Sequence, residues 1–141
     1  MSPQKQERLF KKEYSRELLK IASGDLGSAK ILFDSFSNTS GRAENIFFLC
    51  QQSIEKSLKA VLCALELPVP MVHELGILVG KIPTSSNFEF GYELASLSEF
   101  ASIRRYQEGV LILSFEEAQD VVAKAESILL WAQKIVDLPQ S

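Results

Sequence analysis

The fold of this chain is decided by the stretch RAENIFFLCQQSIEKSLKAVLCAL, which covers residues 42–65. Its apolar side chains recur at steps of three and four residues, the spacing that places them on one face of an α-helix. They are Ile46, Phe47, Cys50, Ile54, Leu58, Val61, Leu62 and Leu65. The opposite face is polar, so the stretch predicts a long amphipathic helix whose apolar face lies in the core.

The same periodicity upstream predicts a first helix over about residues 11–36, ended by a loop over residues 37–41. Its apolar positions are Leu18, Ala22, Leu26, Ala29, Phe33 and Phe36. Gly24 and Gly27 interrupt the pattern, and each costs about 1 kcal/mol relative to alanine inside a helix. The glycines therefore indicate either a kink near residue 24 or the close approach of a neighbouring helix.

Several prolines follow the second predicted helix and limit where further helices can form. Pro68 and Pro70 end that helix because proline lacks the backbone donor and has a fixed φ. A short helix is predicted over about residues 74–81, before Pro83, and a fourth helix over about residues 90–103.

The last helix has the clearest start signal in the chain. Ser114 and Glu117 have the spacing of a capping box, in which each side chain bonds the backbone amide of the other residue. Apolar positions then recur to Val136, and Pro139 follows. The only strand-like run is the short segment over residues 110–113.

These elements predict an all-α chain: an up-and-down antiparallel helical bundle of four long helices plus a short accessory helix. A length of 141 residues suits one domain. The composition, 46% hydrophobic and 23% charged, is typical of a globular chain rather than a disordered one. We therefore expect a single helical domain over residues 1–141, with residues 1–10 as a flexible basic N-terminal segment.

Charge and cysteine content limit the class of protein. The net charge of −3 does not attract polyanions through a global field. Residues 1–20 carry six basic and three acidic groups, which favours a solvated helix face over the alternative of a nucleic-acid-binding arm. Neither a signal peptide nor an apolar run of about 20 residues is found. The thirteen-residue spacing of Cys50 and Cys63 fits neither a metal motif nor a disulfide framework, so we expect a cytoplasmic protein.

The polar face of residues 42–65 provides the first group of candidate ligand-binding residues. They are Gln51, Gln52, Glu55, Lys56 and Lys59. Glu55 and Lys59 stand in the i,i+4 order that favours an ion pair. Side chains of these types can hydrogen-bond to a base or a sugar, although the same pattern also suits a solvated helix face.

A second group of candidates lies further along the chain. Arg104 and Arg105 could hold a phosphate, or could complement the dipole at a helix end. Tyr106 could offer an aromatic face to a ligand, or could lie at the edge of the core. His73 could contact a ligand, although a capping or packing role for the short helix is the favoured interpretation.

Few residues are available for catalysis. His73 is the only histidine, so a multi-histidine metal site is excluded. The sequence contains no glycine-rich phosphate loop, no nucleophile elbow and no zinc-protease motif. We accordingly expect no metal, no cofactor and no catalytic residue.

The run over residues 47–60, FFLCQQSIEKSLKA, resembles the second-helix signature of HEPN domains, the "higher eukaryotes and prokaryotes nucleotide-binding" family. Three shorter pieces also resemble elements of this family. They are GDLGSA at residues 24–29, VHEL at residues 72–75, and the Arg105-Tyr106 pair. The resemblance thus extends over nearly the whole chain.

The resemblance implies a five-helix bundle, usually a symmetric dimer, and often a partnership with a minimal nucleotidyltransferase encoded nearby. Many relatives are ribonucleases of toxin or defence systems, in which an Arg-x(4–6)-His motif supplies the acid/base group. Counted from Arg104 and Arg105, the positions for that histidine fall on residues 109–112, GVLI. None of these side chains can transfer a proton, so this chain departs from the ribonuclease pattern.

We therefore expect a non-catalytic nucleotide-binding or regulatory module that forms a homodimer, binds a nucleotide or RNA, and partners a nucleotidyltransferase in a toxin–antitoxin-like pair. One alternative is a divergent, metal-independent ribonuclease that uses Arg105 with a non-histidine group. Another is a dimeric structural scaffold. The first hypothesis requires the polar row of the second helix to face a groove shared with Arg104 and Arg105.

Overall fold

The computed structural model of the chain describes residues 6–35, 42–91, 94 and 114–137. The elements within these residues are β1 (Glu7–Arg8), α1 (Tyr14–Asp34), α2 (Arg42–Ala64), β2 (Val69–Pro70), α3 (Leu75–Lys81), a 3₁₀ turn (Thr84–Ser86) and α4 (Phe115–Val136). The predicted all-α fold class is confirmed. The predicted fourth helix, over about residues 90–103, lies mostly outside the described residues, although Gly91 and Leu94 within it are helical.

The central element of the described bundle is α2, because α1, α3 and α4 all pack against it. Its predicted apolar face is buried from Ile46 to Leu62, whereas Leu65 lies beyond the helix end and is 37% exposed. Full burial of a large aliphatic or aromatic side chain contributes about 1.5–3 kcal/mol. This face is therefore a main source of the stability of the fold.

Small residues let the flanking helices approach α2. Ala22 and Ala29 of α1, and Ala125 and Ala132 of α4, are fully buried among larger aliphatic side chains. The buried Ser53 hydroxyl of α2 donates a hydrogen bond of 2.8 Å to the Ala22 carbonyl oxygen. This bond links the two long helices inside the core, where an unpaired hydroxyl would be costly.

The helix ends follow local chemistry. At α4 the predicted capping box is confirmed, since the Ser114 hydroxyl accepts from the Glu117 amide and the Glu117 carboxylate accepts from the Ser114 amide. At α2 the chain turns before either proline. Glu66 adopts a left-handed φ of 59°, and the Leu67 amide bonds the Leu62 carbonyl. This is the geometry of a Schellman cap, usually built with glycine.

The two glycines of α1 do not break the helix, which is continuous from Tyr14 to Asp34. A Cβ atom at Gly24 or Gly27 would meet no heavy atom of the described chain within 4 Å. The predicted close approach of a neighbouring helix is thus not found within this part of the molecule.

A small sheet joins the two ends of the α1–α2 hairpin. β1 pairs antiparallel with β2, with Glu7 opposite Pro70 and Arg8 opposite Val69, and the Met71 amide adds a bond to the Gln6 carbonyl. This sheet was not predicted. It matters for the site because it sets the position of the segment between Pro70 and α3, which contains His73.

Candidate functional site

One face of α2 carries the polar row predicted from the sequence. Gln52, Glu55 and Lys59 of that row are three and four residues apart, so they lie on one side of the helix, and Phe48 lies one turn before Gln52 on the same side. Glu55 and Lys59 are only 3% and 6% exposed, and Gln52 is half-buried. The alternative of a fully solvated face is therefore wrong for the centre of this row.

The Glu55 carboxylate contacts three polar side chains of the site. Lys59 Nζ donates to Glu55 Oε2 at 3.0 Å, which confirms the predicted i,i+4 pair. Lys56 Nζ lies 3.4 Å from the same oxygen. His73 Nδ1 lies 3.1 Å from Oε1 and 3.2 Å from Oε2, and it must be the donor because an ionised carboxylate only accepts.

Opposing effects act on the pKa of Glu55. Burial raises it, because desolvation disfavours the charged form. The hydrogen bonds from Lys59 and His73, together with the positive charges of Lys59 and Lys56, outweigh burial and hold the pKa below its usual value. Glu55 is therefore ionised at neutral pH.

Asp25 of α1 adds a second carboxylate to the site. It is half-buried, and burial raises its pKa, against the attraction of Lys56 and with the repulsion of Glu55. Asp25 was not predicted as a site residue, although it lies in the GDLGSA run that resembles the family. We refer to Asp25, Glu55, Lys56, Lys59 and His73 as the Glu55 cluster.

His73 does not cap α3, contrary to the favoured interpretation of the sequence. The N-cap of that helix is Glu74, and no side chain caps it. The imidazole instead reaches α2, and 83% of the His73 side chain remains exposed. One ring nitrogen is thus held by a buried carboxylate while most of the ring faces solvent.

The surface around the cluster is mixed in character. Lys56 is half-buried, with 24% of its side chain exposed, and Gln51 is also half-buried. Phe48, one turn before Gln52, is 49% exposed. Phe48 was not predicted as a site residue, because a phenylalanine beside an apolar helix face usually lies in the core.

No group of three potential metal-ligating side chains occurs in the described part of the chain. No helix in that part is long and apolar enough to cross a membrane. Arg104, Arg105 and Tyr106 lie outside the described residues, so the predicted groove between them and the polar row stays a prediction.

Comparison with known proteins adds one finding. The family model described as HEPN domain matches residues 15–135, most of the chain. The matched region includes all of α2 and α3, and all but one residue of α1 and of α4. Neither the curated proteins nor the solved structures yielded a match.

Proposed function

Because the chain belongs to the HEPN domain family, we propose that it is a non-catalytic nucleotide-binding or regulatory module. Membership of this family supports a nucleotide-binding or ribonuclease-type module. The observation that favours binding at this site is the Glu55 cluster: a buried, ionised carboxylate holds two lysines and a histidine, and Lys56 stands at its surface.

The chemistry of the cluster suits a nucleoside phosphate. Lys56 is the lysine with more of its side chain exposed, so its ammonium can bind a phosphate oxygen while Glu55 holds Lys59 in place. Amides such as those of Gln51 and Gln52 can bond to a sugar or base edge. An exposed aromatic ring such as that of Phe48 can stack on any base.

Partners are the second part of the proposal. The module acts as a homodimer and associates with a nucleotidyltransferase, in an arrangement like that of toxin–antitoxin pairs. A mononucleotide is the favoured ligand and short RNA the alternative, because the net charge of −3 does not favour long polyanions.

Calorimetric titration of the full chain with ATP, GTP and a short RNA tests the binding proposal. Lys56→Ala should weaken binding about tenfold, because a charge-assisted hydrogen bond to phosphate is lost. Lys124→Ala is the matched control: this lysine also pairs with a carboxylate, Asp120 at 2.6 Å, and 23% of its side chain is exposed. No binding at millimolar ligand, or equal losses in both variants, would contradict the proposal.

The geometry of His73 favours a second candidate, a metal-independent ribonuclease. A carboxylate that accepts from Nδ1 orients an imidazole and leaves Nε2 as the basic nitrogen, as general acid/base catalysis requires. Nε2 would take the proton of an RNA 2′-hydroxyl as the O2′–P bond forms. The P–O5′ bond would break, and the proton would pass to the 5′-oxygen, giving a 2′,3′-cyclic phosphate and a 5′-hydroxyl.

Incubation of purified protein with single-stranded and structured RNA separates the two candidates. Cleavage that is lost in His73→Ala but retained in the neighbouring control Glu74→Gln would replace the binding-only proposal. RNA that stays intact under conditions in which nucleotide binding is measurable would support the binding-only proposal. Cleavage lost in Arg105→Ala and retained in His73→Ala would instead indicate catalysis through the arginine.

A further inference from the structure

The Glu55 cluster has no surplus of positive charge while the His73 ring is neutral. The carboxylates of Asp25 and Glu55 stand against the ammonium groups of two lysines. Lys59 is 6% exposed and bonds Glu55 at 3.0 Å, so its charge is already used inside the protein. Lys56 is attracted by both carboxylates. Within the described part of the chain, a phosphate group at this cluster therefore meets one accessible ammonium group and two carboxylates.

The His73 ring is the group that can change this balance. Nδ1 donates to Glu55 Oε1 at 3.1 Å, so Nε2 carries the lone pair of the neutral ring. The side chain is 83% exposed, and no described residue bonds Nε2. Protonation of Nε2 adds a positive charge to the cluster and turns the lone pair into a second N–H donor.

Protonation of the ring does not disturb its contact with α2. Nδ1 is the donor to Glu55 in both protonation states, and the Glu55 carboxylate is held on its other side by Lys59. A hydrogen bond between an imidazolium and a carboxylate is charge-assisted. The ring therefore keeps its place, and the new donor at Nε2 is available to a ligand.

His73 and Lys56 are neighbours at the surface of the cluster. His73 Nδ1 lies 3.2 Å from Glu55 Oε2, and Lys56 Nζ lies 3.4 Å from the same oxygen. An anion with several oxygens, such as a phosphate group, can accept a hydrogen bond from each of two adjacent cations. The protonated ring thus completes a pair of cationic donors.

From this geometry we infer that protonated His73 is the second phosphate-binding cation of the Glu55 cluster, so that binding of a phosphate group is coupled to uptake of a proton by His73. The inference rests on the proposed function, because it takes the cluster as the ligand site. Anion binding and protonation favour each other to the same extent, since coupling between two sites is reciprocal. Affinity for a nucleotide should therefore rise as the pH falls from about 8 to about 6, the range in which histidine ordinarily titrates.

The other ionisable groups around the ring come from three described parts of the chain. They are Glu55, Lys56 and Lys59 of α2, Asp25 of α1, and Glu74, which follows His73 in the chain. Carboxyl and ammonium groups ordinarily titrate below about pH 6 or above about pH 8. Asp25 is the competing proton acceptor, because burial raises its pKa, and a variant at this position separates the two.

Proton NMR tests the protonation of the ring directly. His73 is the only histidine in the chain, so one imidazole resonance reports its state. Sulfate is the probe, because it resembles a phosphate group and keeps its charge over this pH range. At a constant pH of about 7, sulfate should move the resonance toward its low-pH position, further than sodium chloride at equal ionic strength does. Lys56→Ala should reduce this movement, and the control Lys124→Ala should not.

Calorimetric titration with ATP at about pH 6 and about pH 8 tests the effect on affinity. The ratio of the two affinities should be about tenfold higher for the wild type than for His73→Gln, whose amide can still donate to Glu55 but takes up no proton. Protonation of ATP itself affects both proteins equally. Glu74→Gln and Asp25→Asn are the controls and should keep the wild-type ratio.

The outcomes separate this inference from the proposed function. A resonance that responds to sulfate no more than to chloride, or the wild-type affinity ratio in His73→Gln, would overturn the inference. Nucleotide binding without proton uptake would leave the proposed function in place. A response to sulfate without binding of ATP, GTP or RNA would support the inference for a simple anion and remove the nucleotide proposal.

Discussion

Glu55 shows how a buried charge is tolerated in this fold. A carboxylate that is 3% exposed would normally be destabilising unless it is paired and hydrogen-bonded. Here Lys59 and His73 bond its two oxygens. The arrangement joins α2 to the segment that precedes α3, so the same contacts serve stability and the geometry of the site.

Glu55→Gln should lower the free energy of unfolding by about 3–5 kcal/mol, because Lys59 would remain buried without a counter-charge. Chemical denaturation followed by circular dichroism measures this loss. Adding Lys59→Met to Glu55→Gln should recover part of it. The control is Glu126→Gln, since Glu126 forms an exposed pair with Lys30, and its loss should stay below about 1 kcal/mol. Equal losses in Glu55→Gln and Glu126→Gln would contradict the buried-pair interpretation.

The loss of stability at acid pH should depend on the same carboxylate, that of Glu55. The folded-state pKa of Glu55 is lowered, so its contribution to stability is complete above the unfolded-state pKa of about 4.3. The contribution is lost as the pH falls through the folded-state pKa. Lys56 and Lys59 favour its ionised form through their charges and His73 favours it through a hydrogen bond, whereas Asp25 opposes it.

The measurement is the free energy of unfolding between about pH 3 and pH 6, around the ordinary carboxyl pKa values. The wild type should lose more stability than Glu55→Gln as the pH falls. Asp25→Asn should lose more than the wild type, because the raised pKa of Asp25 gives a contribution of opposite sign. Parallel pH profiles for all three proteins would rule out this assignment.

At the scale of single elements, α2 ends at a residue, Glu66, whose backbone conformation is unfavourable for a residue with a Cβ atom. Glu66 has the left-handed φ of 59° that a Schellman cap requires. The cost for a residue with a Cβ is roughly 1–2 kcal/mol. Glycine would adopt the same conformation without this cost.

Glu66→Gly should therefore raise the free energy of unfolding by about 1 kcal/mol. Thermal unfolding followed by calorimetry measures the gain. Glu66→Ala removes the same carboxylate but keeps the Cβ, so it should show no comparable gain. Similar stabilisation by both substitutions would mean that the charge, and not the backbone conformation, is responsible.

At the scale of the whole molecule, contacts between distant segments hold the periphery to the bundle. Trp131 Nε1 of α4 donates a hydrogen bond of 2.8 Å to the Ser86 carbonyl, and its ring lies 4.7 Å from that of Phe88. Cys63 Sγ lies 3.1 Å from the Lys11 carbonyl, which ties the segment before α1 to the end of α2.

Trp131→Phe should lower the free energy of unfolding by about 1 kcal/mol, because the ring contact is largely kept while the Ser86 carbonyl loses its donor. Urea unfolding followed by circular dichroism measures the change. Leu130→Ala is the control, since Leu130 is 54% exposed. A loss in Trp131→Phe no larger than the control's would show that this bond does not stabilise the molecule.

Local signals made several features predictable. The apolar face of α2 is a periodic pattern, and burial follows directly from it. The Ser114–Glu117 capping box depends on residues three apart, so its geometry is visible in the sequence. The Glu55–Lys59 pair is likewise a contact between adjacent helical turns. The family resemblance is also sequential, and the match over residues 15–135 confirms it.

Contacts between residues far apart in the chain were not predictable in the same way. Two-residue strands carry no periodicity, so the pairing of β1 with β2 has no signal in either segment. The distance from His73 to Glu55 depends on where β2 positions the segment that follows it. The Asp25–Lys56 interaction depends on how α1 packs on α2. Such contacts follow from the assembled core.

The amino-acid sequence determined by itself which segments are helical, which face of each is apolar, and which family the chain resembles, because these properties depend on neighbours within a few residues. Only the tertiary structure decided that Glu55 and Lys59 are buried, and that His73 bonds to Glu55. Burial and charge pairing depend on what lies opposite a side chain, and folding brings those partners from distant parts of the chain.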